Sequence, residues 1–451
     1  MVFKDYLPYY KRNLRVAFPV MLTQVGAALV GLADSIMVGH YSTTDLAAVS
    51  FANGIFFTFM VFSMGAVMGL TPLVGHAFVQ QDDKRVATLF QNGFLFATLL
   101  GLLTCSVLLV CVPLMDRMGQ EPAVVVAAKP YLITRIIGLI PFLLFCTEKQ
   151  FLEGLGNTMV AMVITFAVNG LNILLNWVFI FGHWGSAAYG AYGAGLASLI
   201  ANSLMPVLFI IAILLNKDWR SYLGQFSIKQ NSRSVIAELG KVGFPIGVQT
   251  TMETVLFTIS FIMVGWINKE SLAAHHIANN VADFAFMLSL GIGAATTIRV
   301  SHQFGRADYH AMRMASRASV HLILLMNTLG AALMIGLRNY LPLLFTDDAE
   351  VIRITTPLLV YAGLFQYADG LQCVGAGMLR GVTDVRMPMI YAAIAYVVIA
   401  LPLGYVLMFT AEMGVRGMWV SFIVALSIAA AAFHLRFWRR EWKLDRTAVR
   451  G

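Results

Sequence analysis

Apolar stretches of about twenty residues, the length that crosses a lipid hydrocarbon core as a helix, recur along the whole chain. Twelve can be marked, at 13–39, 46–74, 88–114, 123–147, 158–182, 188–215, 235–267, 271–298, 313–338, 350–375, 385–410 and 414–438, and short polar turns separate them. The pattern leaves little chain for any water-soluble domain. It predicts an all-α polytopic membrane protein.

Composition agrees with the pattern. Of 451 residues, 59% are hydrophobic and 12% charged, more apolar surface than one or two soluble cores could hide. The opening residues mix acid and base and lack a cleavable signal's small-residue site, so the first helix is expected to be retained. The four cysteines lie in or beside apolar segments with no CxxC or metal-type spacing, and read as free buried thiols.

The longest polar connection, "NKDWRSYLGQFSIKQNSRSV", falls near the middle of the chain. Sliding one half against the other by 226 positions places "FP" at 18–19 on "FP" at 244–245, and "IMVG" at 36–39 on "IMVG" at 262–265. In the same register "LAA" at 46–48 meets "LAA" at 272–274, and His76 and Phe78 meet His302 and Phe304. A shift of 227 then aligns "KPYL" at 129–132 with "TPLL" at 356–359, and Gly154 with Gly381. The chain therefore reads as two copies of a six-helix unit, an N-lobe over 1–222 and a C-lobe over 223–451. An even helix number gives the copies parallel topology, related by a pseudo-two-fold along the membrane normal, with a cavity expected between them.

The net charge of +8 raises the question of a nucleic-acid partner. Its distribution answers it. With twelve helices and both termini on one side, the loops of that side hold most of the Lys and Arg, among them Lys11, Arg12, Arg15, Lys84, Arg85, Lys217, Arg220, Lys229, Arg233, Arg299, Arg306, Arg313, Arg436, Arg439, Arg440 and Lys443. This is the positive-inside bias, and it places both termini in the cytoplasm. No nucleic acid is needed to explain the charge.

Four acids lie well inside apolar segments: Asp34, Glu253, Asp283 and Asp369. An ionised carboxylate at the centre of a spanning helix costs about 2.5–3.5 kcal/mol. In the repeat they align with Ser260, Ala27, Phe57 and Phe142, so the shared scaffold does not require them. Few bases sit in the spans, and no obvious one neutralises these acids. A stranded carboxylate can hold a proton or bind a cation, and competition between two cations for one carboxylate is the minimal device for antiport.

The helical neighbours of each acid suit that use. Gln249, Thr250 and Phe257 flank Glu253; Phe365, Gln366 and Cys373 flank Asp369; Asn279, Asn280, Phe286 and Met287 flank Asp283. Oxygen ligands fit a hard ion such as sodium, with Glu253 and Asp369 as its ligands and no other metal expected, while aromatic faces fit organic cations. In "NGLNILLNW", Asn169, Asn172 and Asn176 share one helical face, read either as glue between helices or as a polar patch facing Asp34. His275–His276 point to different faces and read as structural, and "TDDAEV" at 346–351 reads as a helix N-terminus. No HExxH, GxSxG, Walker A or CxxC arrangement suggests an enzyme or an ATP-driven pump.

Two motifs resemble a known family: "LADSIMVGHYSTTDLAAVS" in the first helix pair and "SLAAHHIANNVADFAFMLSLGIGAATTIRVSHQFG" in the eighth helix. With twelve helices in two repeats, the chain resembles the multidrug and toxic compound extrusion (MATE) transporters, in their NorM-like bacterial branch, over essentially its whole length. The resemblance implies sodium or proton coupling and cation export at Asp34, Glu253 and Asp369, with Asn172 and Asn176 as polar N-lobe positions. Asn176 stands where the proton-coupled DinF-like branch would carry Asp, which argues against that branch. Asp283 and His276 depart from the pattern expected of relatives.

The expected function is secondary active multidrug efflux. Small organic cations would leave by alternating access as Na+ or H+ enters, with no cofactor beyond the coupling ion. Gln249, Asn280, Phe286 and Phe365 join the two asparagines as expected cavity residues. The chain is expected in the cytoplasmic (inner) membrane and to work as a monomer. The alternative of the same two-lobe plan is a lipid-linked oligosaccharide flippase, which should need basic residues in its cavity.

Overall fold

The computed structural model describes residues 3–227 and 230–448, with side chains described up to Arg439. Lys229 lies outside the described residues, as do the side chains of Arg440 and Lys443. Among the described residues the chain is helical throughout and forms no strand. In order come α1 (Phe3–Tyr41), α2 (Thr43–Val67), α3 (Leu70–Val79), α4 (Asp83–Leu114), α5 (Pro122–Gly154), α6 (Met159–Phe181), α7 (Ala191–Leu215) and α8 (Lys217–Gly224). The second half runs α9 (Arg233–Gly265), α10 (Lys269–Gly305), α11 (Tyr309–Gly336), α12 (Ala349–Gly381), α13 (Arg386–Ala393), α14 (Leu401–Tyr405) and α15 (Val415–Ala448).

The twelve expected spans are all present, α2 with α3 forming one and α13 with α14 another. Among the described residues, eleven helical stretches are long and apolar enough by themselves to cross a membrane. The twelfth, α12, falls outside that set because it carries Gln366, Asp369, Gln372 and Arg380. It packs against α10, α11 and α15 as the central helix of its unit, so protein rather than lipid solvates it. The linker expected as loop holds α8, capped by the Asn216 side chain, which accepts from the Asp218 and Trp219 amides.

The repeat recurs in the turns. Ser42 caps α2 and Asn268, its counterpart at +226, caps α10. Asp82 caps α4 and Asp308 caps α11, each accepting from the amide three residues on at 2.9 Å. Each capping Asp follows a non-glycine residue in the left-handed region, Gln81 (φ 59°) and Ala307 (φ 55°).

It recurs in the packing too. A Cβ on Gly154 would meet Val74 at 2.7 Å and the Thr71 carbonyl at 3.1 Å; one on Gly381 would meet Val300 at 2.7 Å and the Thr297 carbonyl at 3.0 Å. These four partners correspond at +226. The Thr71 hydroxyl donates to the Gln150 carbonyl at 3.1 Å, and Thr297 donates to that of Gly377 at 3.2 Å. Helices in lipid gain no hydrophobic drive toward one another, and such small-residue contacts let their backbones approach.

By contacts the chain forms two compact units, 22–251 and 1–21 with 252–451. The boundary expected at 222/223 is that of the sequence repeat; the chain instead changes unit within α1 and within α9. In the first unit α5 is central and packs on α2, α4 and α7; in the second that place belongs to its repeat partner α12. The early part of α9 lies against α2 at Gly65 and Gly247, and the early part of α1 lies against α10 at Met21 and Gly291. The two contacts correspond residue for residue at +226.

Candidate ion and substrate sites

In the unit 22–251, α6 presents Asn172 and Asn176 one turn apart, both buried. Asn176 Nδ2 donates to Asp34 Oδ1 at 2.5 Å and lies 3.2 Å from Asn172 Oδ1. The asparagine face and the first-helix acid therefore meet. The helix α5 adds Tyr131, whose hydroxyl donates to Asn53 Oδ1 at 3.1 Å, and Arg135, whose guanidinium lies 4.7 Å above the Phe56 ring. Both act electrostatically on this corner: Arg135 on Asp34, and Asp34 on Tyr131. Asn169 Nδ2 is buried with no hydrogen-bond partner.

In the other unit, Asp369 on α12 is 1% exposed and its Oδ2 accepts no hydrogen bond. Glu253 on α9 and Asp283 on α10 both act on it electrostatically, so the three expected acids share one neighbourhood. Asn279 Nδ2 donates to Asp283 Oδ2 at 3.1 Å along α10. One turn from Asp369, Gln372 reaches the Glu253 carboxyl and donates to the Tyr396 hydroxyl at 2.5 Å. Tyr396 is fully buried in a π-helical stretch, residues 394–400, between α13 and α14. The wider turn there shifts the side-chain register of the span, as π-bulges do.

The expectation that these acids lack a basic neighbour needs correction. Arg135 acts on Asp34, and Arg380, near the end of α12, acts on Glu253. Among the described residues neither makes an ion pair with those acids. The sequence shows both arginines inside or at the end of spans, but only the fold brings them near a carboxylate.

Other candidates fall elsewhere. Phe365 is 3% exposed and packs with Phe257, Trp419 and Phe422 at centroid distances of 5.7–6.3 Å, so its ring belongs to a core aromatic cluster and not to a cavity wall. Gln366 is fully buried and donates to the Ala282 carbonyl at 3.1 Å, which ties α12 to α10 beside Asp283. Gln249 is buried in the unit 22–251, whereas Glu253, one turn on, belongs to the other. Asn280 and Asp283 are exposed and Phe286 half-buried. His275 is buried, with Nε2 3.1 Å from the Ser260 hydroxyl, and exposed His276 lies edge-on to Phe261.

Two buried acids escape the sequence reading. Glu148 and Glu153 were expected beyond the fourth span, but α5 continues to Gly154 and buries both. Glu148 accepts no hydrogen bond; Glu153 has Lys149 at 3.9 Å. Among the described residues no three His, Cys, Asp or Glu side chains converge as a metal site.

Among the described residues, twelve spans in two repeats, each unit holding acids within its helices, have the architecture of a membrane transporter. The MatE family model matches residues 19–178 and 245–406. The chain belongs to that family, the multidrug and toxic compound extrusion transporters, and is not an enzyme. It is 34% identical over 437 residues to the multidrug resistance protein NorM of Photobacterium profundum, covering 95% of each chain. It is 33% identical to that of Vibrio vulnificus, covering 94% of each. Among solved structures, the eukaryotic MATE transporter AtDTX14 superposes with a TM-score of 0.86 at 18% identity, over 98% of this chain and 99% of that one. A MATE transporter of the MOP superfamily in an outward-facing conformation superposes with a TM-score of 0.87 at 19% identity, over 97% of both.

Proposed function

We propose that the chain is a multidrug efflux transporter that exports lipophilic organic cations in exchange for Na+ or H+. The observation that carries the reading is Asp369, a carboxylate at spanning depth with an oxygen that accepts no hydrogen bond, beside two more acids. Three acids in one neighbourhood, with Asp369 buried, repel one another when ionised, so a cation or proton is favoured there. Arg380 sets a limit on that affinity, because a fixed positive charge beside Glu253 must be outweighed by the ion that binds.

Asp34, held by Asn176, is the carboxylate we assign to the cationic substrate or to a second coupling ion. Coupling then requires the acids to face the two sides of the membrane in alternation, with the ion biasing one form over the other. Exchange of one monovalent cation for one ion is electroneutral; any net charge moved is driven by about 2.3 kcal/mol per 100 mV. We place the protein in the inner membrane with both termini cytoplasmic, on the strength of its basic loops, and working as a monomer because each chain carries both sets of acids. The flippase reading is set aside, since the curated relatives matched over 94–95% of their length are named multidrug resistance proteins.

The test is flux of ethidium, a lipophilic cation, in proteoliposomes under a sodium gradient alone and a proton gradient alone. Acceleration by one gradient, lost in Asp369→Asn and Glu253→Gln, supports the proposal and names the ion. Flux indifferent to both gradients, or unchanged in both variants, refutes it.

A further inference from the structure

Arg299 lies in the last two turns of α10, in the unit 1–21 with 252–451. Its Nε and Nη2 are buried and find no hydrogen-bond acceptor. Among the described residues the charged groups that act on it are Arg12, on the early part of α1, and Arg306, which caps α10; both carry its own sign. Tyr9, half-buried in a small cluster with Tyr6, Met314 and Ala318, also acts on it. A half-buried guanidinium with two buried nitrogens that find no acceptor, acted on by two further guanidiniums, is costly unless an anion joins them.

The repeat sharpens this. At −226 and +226 the three arginines correspond to Leu73, Gln80 and Glu238. In the unit 22–251, Glu238 forms an ion pair with Arg85. One copy of the scaffold thus balances charge at this corner with its own acid, while the other gathers three bases. Packing needs common to both copies do not call for them.

We propose that Arg299, Arg12 and Arg306 form an anion site for a phosphate group. A guanidinium presents planar paired donors that match phosphate oxygens, and exposed Arg12 and Arg306 stand at its rim. The orientation proposed above puts this corner at the inner leaflet, where a phospholipid headgroup can supply the phosphate; a soluble phosphate carries the same chemistry. The site is separate from the transport acids and does not depend on what they carry.

The full chain is placed in phosphatidylcholine nanodiscs with and without phosphatidylglycerol, and lipid retention is read by native mass spectrometry beside the thermal midpoint. Phosphatidylglycerol is expected to be retained and to raise the midpoint. Arg299→Gln should weaken its apparent affinity about tenfold, the loss of one charge-assisted contact, and Arg12→Gln with Arg306→Gln should weaken it less. An equal, Arg299-dependent shift from inorganic phosphate in phosphatidylcholine alone supports the site and assigns it to soluble phosphate. Wild-type retention in Arg299→Gln overturns the proposal. If that variant does not fold, wild-type retention in the double variant of the two exposed arginines does so instead. Exposed Arg220, on α8, is the control: if Arg220→Gln weakens retention as much as Arg299→Gln, binding is diffuse and the site is refuted.

Discussion

The two units share a scaffold and differ in what they bury. Their common features are the left-handed residue before a capping aspartate, the threonine that bonds a carbonyl of the central helix, and the glycine that seats that helix. Their private features are charged. The unit 22–251 gives its first-helix acid an amide partner and a nearby arginine, Asn176 and Arg135. The other unit sets Glu253, Asp283 and Asp369 together, gives Glu253 an amide in Gln372 and a nearby arginine in Arg380, and leaves an Asp369 oxygen unbonded. Shared features hold the helices; unshared acids are free to bind.

The largest effect should come from the unshared acids. Asp369→Asn removes the charge at the least satisfied position and should cut gradient-driven ethidium flux about tenfold or more, the scale of one lost charged interaction. Asp34→Asn keeps a hydrogen-bonding side chain beside Asn176, so folding should survive while the substrate concentration for half-maximal flux rises. If Asp34→Asn instead removes ion dependence and Asp369→Asn spares it, the roles assigned to the two units are reversed.

Next come the shared glycines. Gly154→Ala and Gly381→Ala each drive a methyl against a valine and a threonine carbonyl, and overpacking of this kind costs about 1–3 kcal/mol. The two variants should lower the thermal midpoint in detergent by similar amounts. A large loss from one and none from the other breaks the claim that the contacts are equivalent.

Smaller still is the paired hydroxyl. Thr71→Val and Thr297→Val remove one donor to a buried carbonyl each, worth about 1 kcal/mol. Thr71 also has the Gln150 side-chain oxygen at 2.5 Å and Thr297 the Gly293 carbonyl at 3.1 Å, so each hydroxyl has a second acceptor and the two losses should be similar. A loss in one variant alone would show that the two bonds are not equivalent.

Much of this was legible in the sequence, for identifiable reasons. Hydropathy marks where a helix crosses lipid, and matched short runs such as "FP" and "IMVG" fix the register of a repeat. The shared face of Asn169, Asn172 and Asn176 was legible as a polar stripe, but its spacing left open whether it glues helices or faces Asp34; only the fold shows Asn176 against that acid. What stayed hidden depends on tertiary contact. Hydropathy ends the fourth span at 147 because polar residues follow, yet α5, on which α3 and α4 pack, runs on to Gly154 and buries Glu148 and Glu153. Periodicity says that Arg135 and Arg380 lie on helices, not which carboxylate each one meets. Phe365 sits one turn from Asp369, but an aromatic beside an acid in sequence can turn into the core, as this one does. The change of unit inside α1 and α9 leaves no mark in composition, since both helices run unbroken through it.

The smallest effect tests the turns. Gln81 and Ala307 adopt φ of 59° and 55°, where a side chain crowds the following carbonyl at a cost of about 1–2 kcal/mol. Glycine relieves that crowding but gives the unfolded chain more freedom, which takes back part of the gain. Gln81→Gly and Ala307→Gly should therefore raise the thermal midpoint slightly and to the same extent, by less than about 1 kcal/mol of stability. The equality matters more than the size. Both residues precede a capping aspartate and correspond at +226, so the strain belongs to the shared turn and not to either side chain. Opposite signs would mean that Gln81 or Ala307 makes a contact of its own, and the turns would then join the acids among the features the two units do not share.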